Sequence, residues 1–258
     1  MSTATVRLDG QVVLVTGGGR GIGRGIAAAF LTTGATVVIC GRNKPEDLPT
    51  HDSQTVDFVA CDVRDAAAVS AMVEEIVKRY GRLDVLVNNA GGSPSAAAAT
   101  ASPRFSERII ALNLLAPLHC SQAAYKVMEG QAEGGSIINI ASVSGVRPSP
   151  QSVAYGAAKA GLLNMTTSLA QEWGPKVRVN AIIVGLIATD LAASEFYGDT
   201  EGLARIAAAL PARRMGKPED VAGACLFLAS PLAAYVSGAQ LEVHGGGEPP
   251  AFLDLAKK

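Results

Sequence analysis

The stretch VVLVTGGGRGIG, from Val12 to Gly23, decides the fold of this chain. Its first four residues are a continuous apolar run, which is typical of a strand buried on both faces of a parallel sheet. A helical pattern follows the glycines and ends at Gly34, and a second apolar run, from Thr36 to Cys40, comes next. This order predicts a βαβ unit with its glycines at the turn from strand to helix.

Glycines in that turn have a chemical purpose. Backbone without side chains lets a pyrophosphate approach closely, and the first turn of the helix offers it free N–H groups and the positive end of the helix dipole. A glycine-rich turn alone is also typical of a flexible loop, but its place between a buried strand and a helix favours dinucleotide binding. The residues expected to bind the cofactor here are Gly17, Gly19, Arg20, Gly21, Ile22 and Gly23.

The end of the second strand indicates which nicotinamide cofactor is bound. An NAD site usually has an acidic residue at this position, which accepts a hydrogen bond from the ribose 2′-hydroxyl. Here the strand is followed by Arg42, and no acid occurs before Glu46. Arg42, assisted by Arg20, can pair with a 2′-phosphate. The sequence therefore favours NADP(H) over NAD(H); the alternative is that Arg42 is simply solvated.

The segment before the third strand is less regular. Residues 43–55 contain two prolines and no helical period, so we expect a loop with about one turn. A strand from Thr55 to Ala60 follows, and Asp62 and Val63 stand at its carboxyl end, where ligands of doubly wound sheets lie. We expect both to contact the adenine; the alternative for Asp62 is that it caps a helix from Asp65 to Tyr80.

Small residues and amides follow the fourth strand. The strand, from Leu83 to Val87, leads into Asn88-Asn89-Ala90-Gly91-Gly92. Such residues at the end of a strand can pack against a cofactor or tie neighbouring strands together. Both roles are open for Asn89, Ala90 and Gly91.

A proline interrupts the next helical pattern. We expect one long helix from about Pro103 to Met128, because proline is favoured at a first helical position. Pro117 falls inside this helix and has no N–H, so the carbonyl of Asn113, four residues earlier, loses its helical partner. The sequence thus predicts a free backbone acceptor at Asn113.

Tyr155 and Lys159 stand four residues apart in a helical pattern that continues to Trp173, so their side chains share one face. Taken alone, the pair is typical of an amphipathic helix with an incidental tyrosine and an exposed lysine. Ser142, however, follows the fifth strand, Ser136 to Ile140, at the same edge of the sheet as the glycine turn. Together these residues indicate a proton-transfer site.

The rest of the chain extends the same architecture. Further strands are expected from Val177 to Ile182 and from Gln240 to Val243, with a helix from Pro218 to Ala229 between them. Residues 184–210 are rich in alanine and are expected to form a mobile substrate loop over a pocket. No linker divides the chain, so we expect one domain over residues 1–258.

Composition excludes several classes of function. A net charge of −1 over 258 residues gives no electrostatic footprint for nucleic acid or a membrane surface. No apolar run approaches the roughly 18 residues that span a bilayer, and the N-terminus lacks the pattern of a signal peptide. Four cysteines without a CxxC motif and three scattered histidines predict reduced thiols, a cytoplasmic location and no metal site. The expected partners are small molecules or other copies of the chain.

In combination, the motifs resemble the short-chain dehydrogenase/reductase family over nearly the whole chain. The matching residues, in order, are Thr16-Gly17-x-x-x-Gly21-x-Gly23, Asn88-Asn89-Ala90-Gly91, Ser142 and Tyr155-x-x-x-Lys159. The resemblance implies an α/β fold: a single Rossmann domain with a doubly wound, seven-stranded parallel sheet and helices on both faces. It also implies a homo-oligomer, either a tetramer or a dimer.

The resemblance implies a role for each residue of the site. Tyr155 would be the general acid/base, Lys159 would hold the nicotinamide ribose and lower the Tyr155 pKa, and Ser142 would hydrogen-bond the substrate oxygen. Asn113 matches the fourth catalytic position, where family members hold a water through the main-chain carbonyl. That is the carbonyl which Pro117 is expected to free.

Two positions depart from the family pattern. The usual Pro-Gly pair before the substrate loop is Val184-Gly185, although the resemblance still implies nicotinamide contacts for Ile187 and Thr189. The usual aspartate before the final glycines is His244, to which we assign no catalytic role.

The expected activity is hydride transfer between NADP(H) and a carbonyl or secondary alcohol carbon of an apolar substrate. Arg147, near the active edge, either meets an acidic group or is solvated. One alternative is a 3-oxoacyl-thioester reductase, although residues 146–150 lack the Asn-x-Gly-Gln pattern of that subgroup. Another is a non-catalytic NADP(H)-sensing protein, which would be marked by loss of Tyr155 or Lys159.

Overall fold

The apolar runs of the sequence form the strands of one central sheet. The computed structural model describes residues 6–189 and 200–248. Its strands are β1 Val12–Thr16, β2 Thr36–Gly41, β3 Thr50–His51, β4 Gln54–Thr55, β5 Asp57–Ala60, β6 Val85–Asn88, β7 Gly135–Ile140, β8 Val177–Val184 and β9 Gln240–Val243. Seven of them pair in the order β5-β2-β1-β6-β7-β8-β9, and every neighbouring pair is parallel. The predicted seven-stranded parallel sheet is confirmed.

Helices cover both faces of this sheet. They are α1 Gly21–Leu31, α2 Ala66–Tyr80, α3 Pro103–Ile110, α4 Ala116–Met128, α5 Val153–Trp173, α6 Thr200–Ala209 and α7 Pro218–Ala229. Alternate residues of β1 show the two layers, because Val13 and Val15 pack in the cluster that contains α1 and α7 side chains. Val12 and Leu14 pack in the cluster that contains α2 and α4 side chains. The fold is therefore a single doubly wound α/β domain.

The strand order places the ligand edge. The chain runs from β1 outward through β2 to β5, then returns to β6 on the other side of β1 and continues to β9. Doubly wound sheets bind ligands at the carboxyl ends of their strands, beside the point where the order reverses. That point lies between β1 and β6, where Gly17 and Asn89 follow the two strands.

Residues 43–55 contain no helix, in agreement with the expected loop, but they hold a small hairpin that the sequence did not indicate. Strands β3 and β4 pair antiparallel, with Thr50 opposite Thr55 and with Asp52 at a positive φ of 50° in the turn. Because Thr55 pairs within this hairpin, the third strand of the main sheet begins at Asp57 and not at Thr55.

The helix expected from Pro103 to Met128 is not continuous. It changes to a π-helix at Ala111–Leu115, and the N–H of Ala116 donates to the carbonyl of Ala111, five residues earlier. The change falls just before Pro117, which cannot donate to the carbonyl of Asn113. Without the Pro117 N–H, the regular series of hydrogen bonds between residues four apart is interrupted. The helix changes at this point to hydrogen bonds between residues five apart, which define the π-helix.

Asp62 does not cap the second helix. Asp65 is the N-cap of α2, and its carboxylate accepts hydrogen bonds from the N–H groups of Ala67 and Ala68 at 2.9 and 3.2 Å. The helix ends at Gly81, whose φ of 79° is the left-handed conformation that glycine adopts without strain.

The predicted substrate loop is described only in part. Residues 190–199 lie outside the described residues, and residues 200–209 form helix α6. The tail is described up to Glu248. All four cysteines are buried and free, in agreement with the predicted reduced thiols. Within residues 6–189 and 200–248, none of the helices has both the length and the apolar composition of a membrane span.

Candidate active site

The glycine turn is shaped by its contacts with the end of β6. Gly17 and Gly21 have positive φ angles of 65° and 52°, which L side chains rarely adopt. A Cβ on Gly23 would overlap the Asn89 amide, which donates to the carbonyls of Thr16 and Gly17 at 2.9 and 3.2 Å. Asn89 therefore ties the turn to the neighbouring strand, which is one of the two roles that the sequence left open.

The first turn of α1 is available to an anion. Its N-cap, Arg20, makes no side-chain cap hydrogen bond, and the first turn contains no acidic residue. The N–H groups at this helix end can therefore be satisfied by a ligand, and the helix dipole favours a negative one. These residues fit the pyrophosphate of a dinucleotide.

The ends of β2 and β5 present a positive surface. Arg20 and Arg42 are exposed, and among the described residues neither is in an ion pair. The Asp62 carboxylate is not available as a ribose ligand, because Arg64 donates hydrogen bonds to both of its oxygens, at 2.9 and 2.5 Å. This hydrogen bonding lowers the Asp62 pKa to about 2, with a smaller contribution from the charge of Arg42. Val63, its neighbour, is buried in the core.

A buried polar chain connects four elements behind the site. The Asn88 amide donates to Ser121 on α4 at 3.0 Å and to Asn139 on β7 at 2.9 Å. Asn139 in turn donates to Thr166 on α5 at 2.9 Å. All four side chains are buried, so these bonds fix the register of β6, β7 and the two helices in a low-dielectric interior.

Asn113 holds the loop that follows β6. Its side chain is fully buried within the π-helix, where its amide oxygen accepts from the N–H of Gly92 at 2.9 Å. Its amide nitrogen donates to the carbonyl of Gly92 at 3.0 Å. A Cβ on Gly91 would lie 2.7 Å from the Asn113 oxygen and 3.4 Å from the Lys159 ammonium. The π-helix, the loop and Lys159 therefore meet at one point.

Tyr155 and Ser142 face each other across the active edge. Burial raises the pKa of the Tyr155 phenol, and a hydrogen bond with Ser142 opposes the rise. Ser142 begins a short 3-10 turn that packs closely on α5, because a Cβ on Gly145 would lie 2.8 Å from the Lys159 backbone. This close packing sets the position of Ser142 relative to the tyrosine.

Lys159 is buried and points toward β7. Its ammonium donates to the carbonyl of Ile140 at 2.7 Å and lies 5.5 Å from the centroid of the Tyr155 ring. Burial lowers the Lys159 pKa to about 8. Ser142 is the group that opposes the rise of the Tyr155 pKa. The effect of Lys159 on that pKa stays a prediction.

The two residues expected at the nicotinamide differ in accessibility. Thr189 lies beside the glycine turn, where a Cβ on Gly21 would be 3.6 Å from its methyl group. Ile187 is buried in the core, and its backbone pairs with Gly216. The nicotinamide contact of Ile187 stays a prediction. The two positions that depart from the family pattern, Val184-Gly185 and His244, lie close together, since a Cβ on Gly185 would be 2.5 Å from the His244 Cβ.

The structure also brings together two residues that sequence reasoning did not connect. Arg147, five residues after Ser142, forms an ion pair with Glu248 at 2.6 Å, so it is neither simply solvated nor free for a ligand. The two residues are 101 positions apart, and no local pattern could have linked them. Within the described ranges, no cluster of histidine, cysteine or carboxylate side chains could hold a metal ion.

Comparison with known proteins places the chain among oxidoreductases. A family model described as enoyl-(acyl carrier protein) reductase matches residues 17–248. A 3alpha-hydroxysteroid dehydrogenase of Mediterraneibacter gnavus is 37% identical over 246 residues, covering 92% of this chain and 97% of that protein. The 3-oxoacyl-(acyl-carrier-protein) reductase FabG of Chlamydia muridarum is 37% identical over 251 residues, covering 93% of this chain and 98% of that protein.

A solved structure shows the same architecture. The aldohexose dehydrogenase of Thermoplasma acidophilum, in ligand-free form, superposes with a TM-score of 0.85 and 33% sequence identity. The match covers 93% of this chain and 94% of that one.

Proposed function

Since the chain belongs to the short-chain dehydrogenase/reductase family, and so is an oxidoreductase acting on CH–OH groups, we propose that it uses NADP(H) to reduce a neutral, apolar carbonyl compound or to oxidise the corresponding alcohol. The family uses nicotinamide dinucleotides in general. The observation that carries the proposal is the meeting of Tyr155, Ser142 and buried Lys159 at the same sheet edge as the glycine turn.

The preference for NADP(H) is supported by charge. Arg20 and Arg42 are exposed beside the turn, and the nearest carboxylate at the ends of β2 and β5, Asp62, is held by Arg64. Two arginines that form no ion pair within the described residues can pair with a 2′-phosphate in the geometry that guanidinium groups favour.

The chemistry needs a proton at the substrate oxygen while a hydride reaches or leaves its carbon. A raised pKa keeps the Tyr155 phenol protonated near neutral pH, so Tyr155 can donate that proton during reduction. The Ser142 hydroxyl can hydrogen-bond the same oxygen as negative charge develops on it. The nicotinamide, when bound, supplies or accepts the hydride. Lys159 would hold the ribose. Asn113 would position the loop after β6, through its hydrogen bonds with Gly92.

An apolar substrate is supported by the residues at this edge. Leu186, Leu210 and Val143 lie together around a narrow gap beside Ser142. The first relative is named for a hydroxysteroid, whereas FabG is named for an acyl thioester. The loop at 146–150 lacks the pattern expected of the thioester subgroup, which favours a free ketone or alcohol.

We also propose that the protein acts as a homo-oligomer in the cytoplasm. Large apolar side chains are exposed at Leu115, Val153, Leu232 and Tyr235. Such side chains are typical of surfaces that a second copy covers.

The test is a spectrophotometric screen of NADPH and NADH oxidation with apolar ketones, sterols and acetoacetyl thioesters. Tyr155→Phe should lose about 100- to 10,000-fold in kcat with any active compound, because the proton donor is gone. The variant should still bind the cofactor, as measured by nucleotide fluorescence titration. Turnover by Tyr155→Phe close to that of the unaltered protein would contradict the assignment.

A further inference from the structure

The ion pair between Arg147 and Glu248 joins the catalytic edge to the C-terminal end of the described chain. Arg147 Nη2 donates to Glu248 Oε1 at 2.7 Å, and Arg147 Nε lies 2.6 Å from Oε2, so the pair is bidentate. The Glu248 side chain is 27% exposed and that of Arg147 is 42% exposed. Such geometry is the strong form of a carboxylate–guanidinium contact.

Residues 245–247, here called the glycine strap, lead from the end of β9 to Glu248 and place its carboxylate beside Arg147. The three glycines of the strap have φ angles of 64°, 94° and 79°, a conformation that residues with a side chain rarely adopt. The N–H of Ala212 donates to the carbonyl of Gly245 at 3.0 Å, and a Cβ on Gly246 would lie 2.8 Å from Pro211. The strap is therefore docked between the chain after α6 and the turn that follows Ser142.

The strap and Glu248 lie beside the turn that follows Ser142. Val143, Gly185, Leu210 and Glu248 surround a narrow gap there, together with Leu186, His244 and Gly247. Strands β7, β8 and β9 are neighbours, and the residues after their carboxyl ends meet here, on the side of Ser142 away from the glycine turn. Val143, Leu186 and Leu210 are apolar, and the ion pair with Glu248 holds Arg147 at this same end of the sheet.

We propose that Glu248 determines substrate specificity by neutralising Arg147, so that the site accepts neutral carbonyl compounds and rejects those with a carboxylate. A free Arg147 would attract such an anion. With Glu248 in place, the anion must displace a bidentate carboxylate or lie beside it and be repelled. This inference rests on the proposed function, since it concerns the substrate of the same site.

The experiment compares a keto acid with its neutral ester, 4-oxopentanoate and ethyl 4-oxopentanoate. For Glu248→Gln, the ratio of kcat/KM for the acid to that for the ester should rise about fivefold or more, the value expected for a partly exposed charge contact. The double variant Glu248→Gln/Arg147→Gln should return to the ratio of the unaltered protein, because the attracting cation is gone.

Glu242→Gln is the matched control. Glu242 lies on β9 and contacts His244. Its replacement by glutamine changes the net charge by the same amount as Glu248→Gln but leaves the Arg147 ion pair in place. Its ratio should stay at that of the unaltered protein. An equal rise in Glu242→Gln, or no rise in Glu248→Gln, would overturn the proposal, and thermal unfolding of each variant confirms that it is folded.

Calorimetric titration with the two compounds, in the presence of NADP⁺ and separately NAD⁺, separates this inference from the proposed function. Binding of the acid should tighten about fivefold in Glu248→Gln relative to the ester, whether or not turnover occurs. Absence of turnover with every carbonyl compound would contradict the proposed function. Unchanged binding of the acid in Glu248→Gln would contradict the specificity role alone.

Discussion

Lys159 is the buried charge on which the candidate site depends. The residue is 4% exposed, and its ammonium donates to one backbone carbonyl, that of Ile140, at 2.7 Å. Burial lowers its pKa from 10.5 to about 8, so the folded protein holds the proton less tightly than the unfolded chain. A pKa near 8 also keeps this group able to exchange protons close to physiological pH.

The Lys159 pKa predicts a pH-dependent stability. Between about pH 8 and 10.5 the unfolded state binds more protons than the folded state, so the free energy of unfolding contributed by Lys159 rises with pH. The free energy of unfolding of the unaltered protein, minus that of Lys159→Met, should rise by about 2 to 3 kcal/mol between pH 7 and pH 10. Urea unfolding at fixed protein concentration measures this difference. A difference that is constant or falls with pH would contradict the burial of a charged ammonium.

Arg42 is predicted to recognise the 2′-phosphate. Arg42→Asp should weaken NADPH binding by about tenfold or more, because it replaces a paired cation with a repelling carboxylate. NADH binding should change much less, as measured by fluorescence titration of both nucleotides. Lys44→Asp, which makes the same change of charge two residues away in an exposed position, is the matched control. Equal losses for NADPH and NADH would show that Arg42 does not read the phosphate.

At the scale of elements, the π-helix at Ala111–Leu115 links a proline to the catalytic helix. It places Asn113 against Gly92, next to the point where Gly91 approaches Lys159. π-helical turns occur frequently at functional sites. The hypothesis that the Asn113 carbonyl serves the site requires an interrupted helix, and the helix is interrupted.

Pro117→Ala tests this link. The variant gains an N–H that can donate to the Asn113 carbonyl, which favours a regular α-helix over the π-helix. We expect kcat to fall roughly tenfold, because the loop after β6, which lies against Lys159, shifts; NADPH affinity should fall less. Steady-state kinetics and cofactor titration measure the two effects.

Pro103→Ala is the control for that variant. Pro103 is at the start of α3, where an N–H has no helical partner, so its loss should leave kcat unchanged. A Pro117→Ala enzyme with the kcat of the unaltered protein would contradict a role for the Asn113 carbonyl.

At the scale of the whole molecule, the apolar surface predicts self-association. Tyr235 is fully exposed and Leu232 is 69% exposed, next to the end of α7. We expect sedimentation velocity at micromolar concentration to show a species two or four times the 26.3 kDa chain mass. Tyr235→Glu should reduce that mass, because a charge cannot be buried cheaply at an interface. A 26.3 kDa species at all concentrations would contradict the oligomer.

Much of the fold could be predicted from local pattern. Strand β9 and helix α7 begin and end at the predicted residues, and the parallel order follows from buried runs that alternate with helices. Local pattern missed two details. Asp65, and not Asp62, caps α2, and residues 50–55 form a small hairpin within the expected loop.

By itself, the sequence determined the βαβ turn, the seven strands and the helical face shared by Tyr155 and Lys159, and the family resemblance implied the seven-stranded parallel sheet. The turn, the strands and the helical face depend on residue type and on local spacing. Only the tertiary structure decided where Lys159 points, the change to a π-helix before Pro117 and the pairing of Arg147 with Glu248. Those outcomes depend on which distant groups share a buried or partly buried space, since desolvation and charge pairing act through distance in the fold and not along the chain.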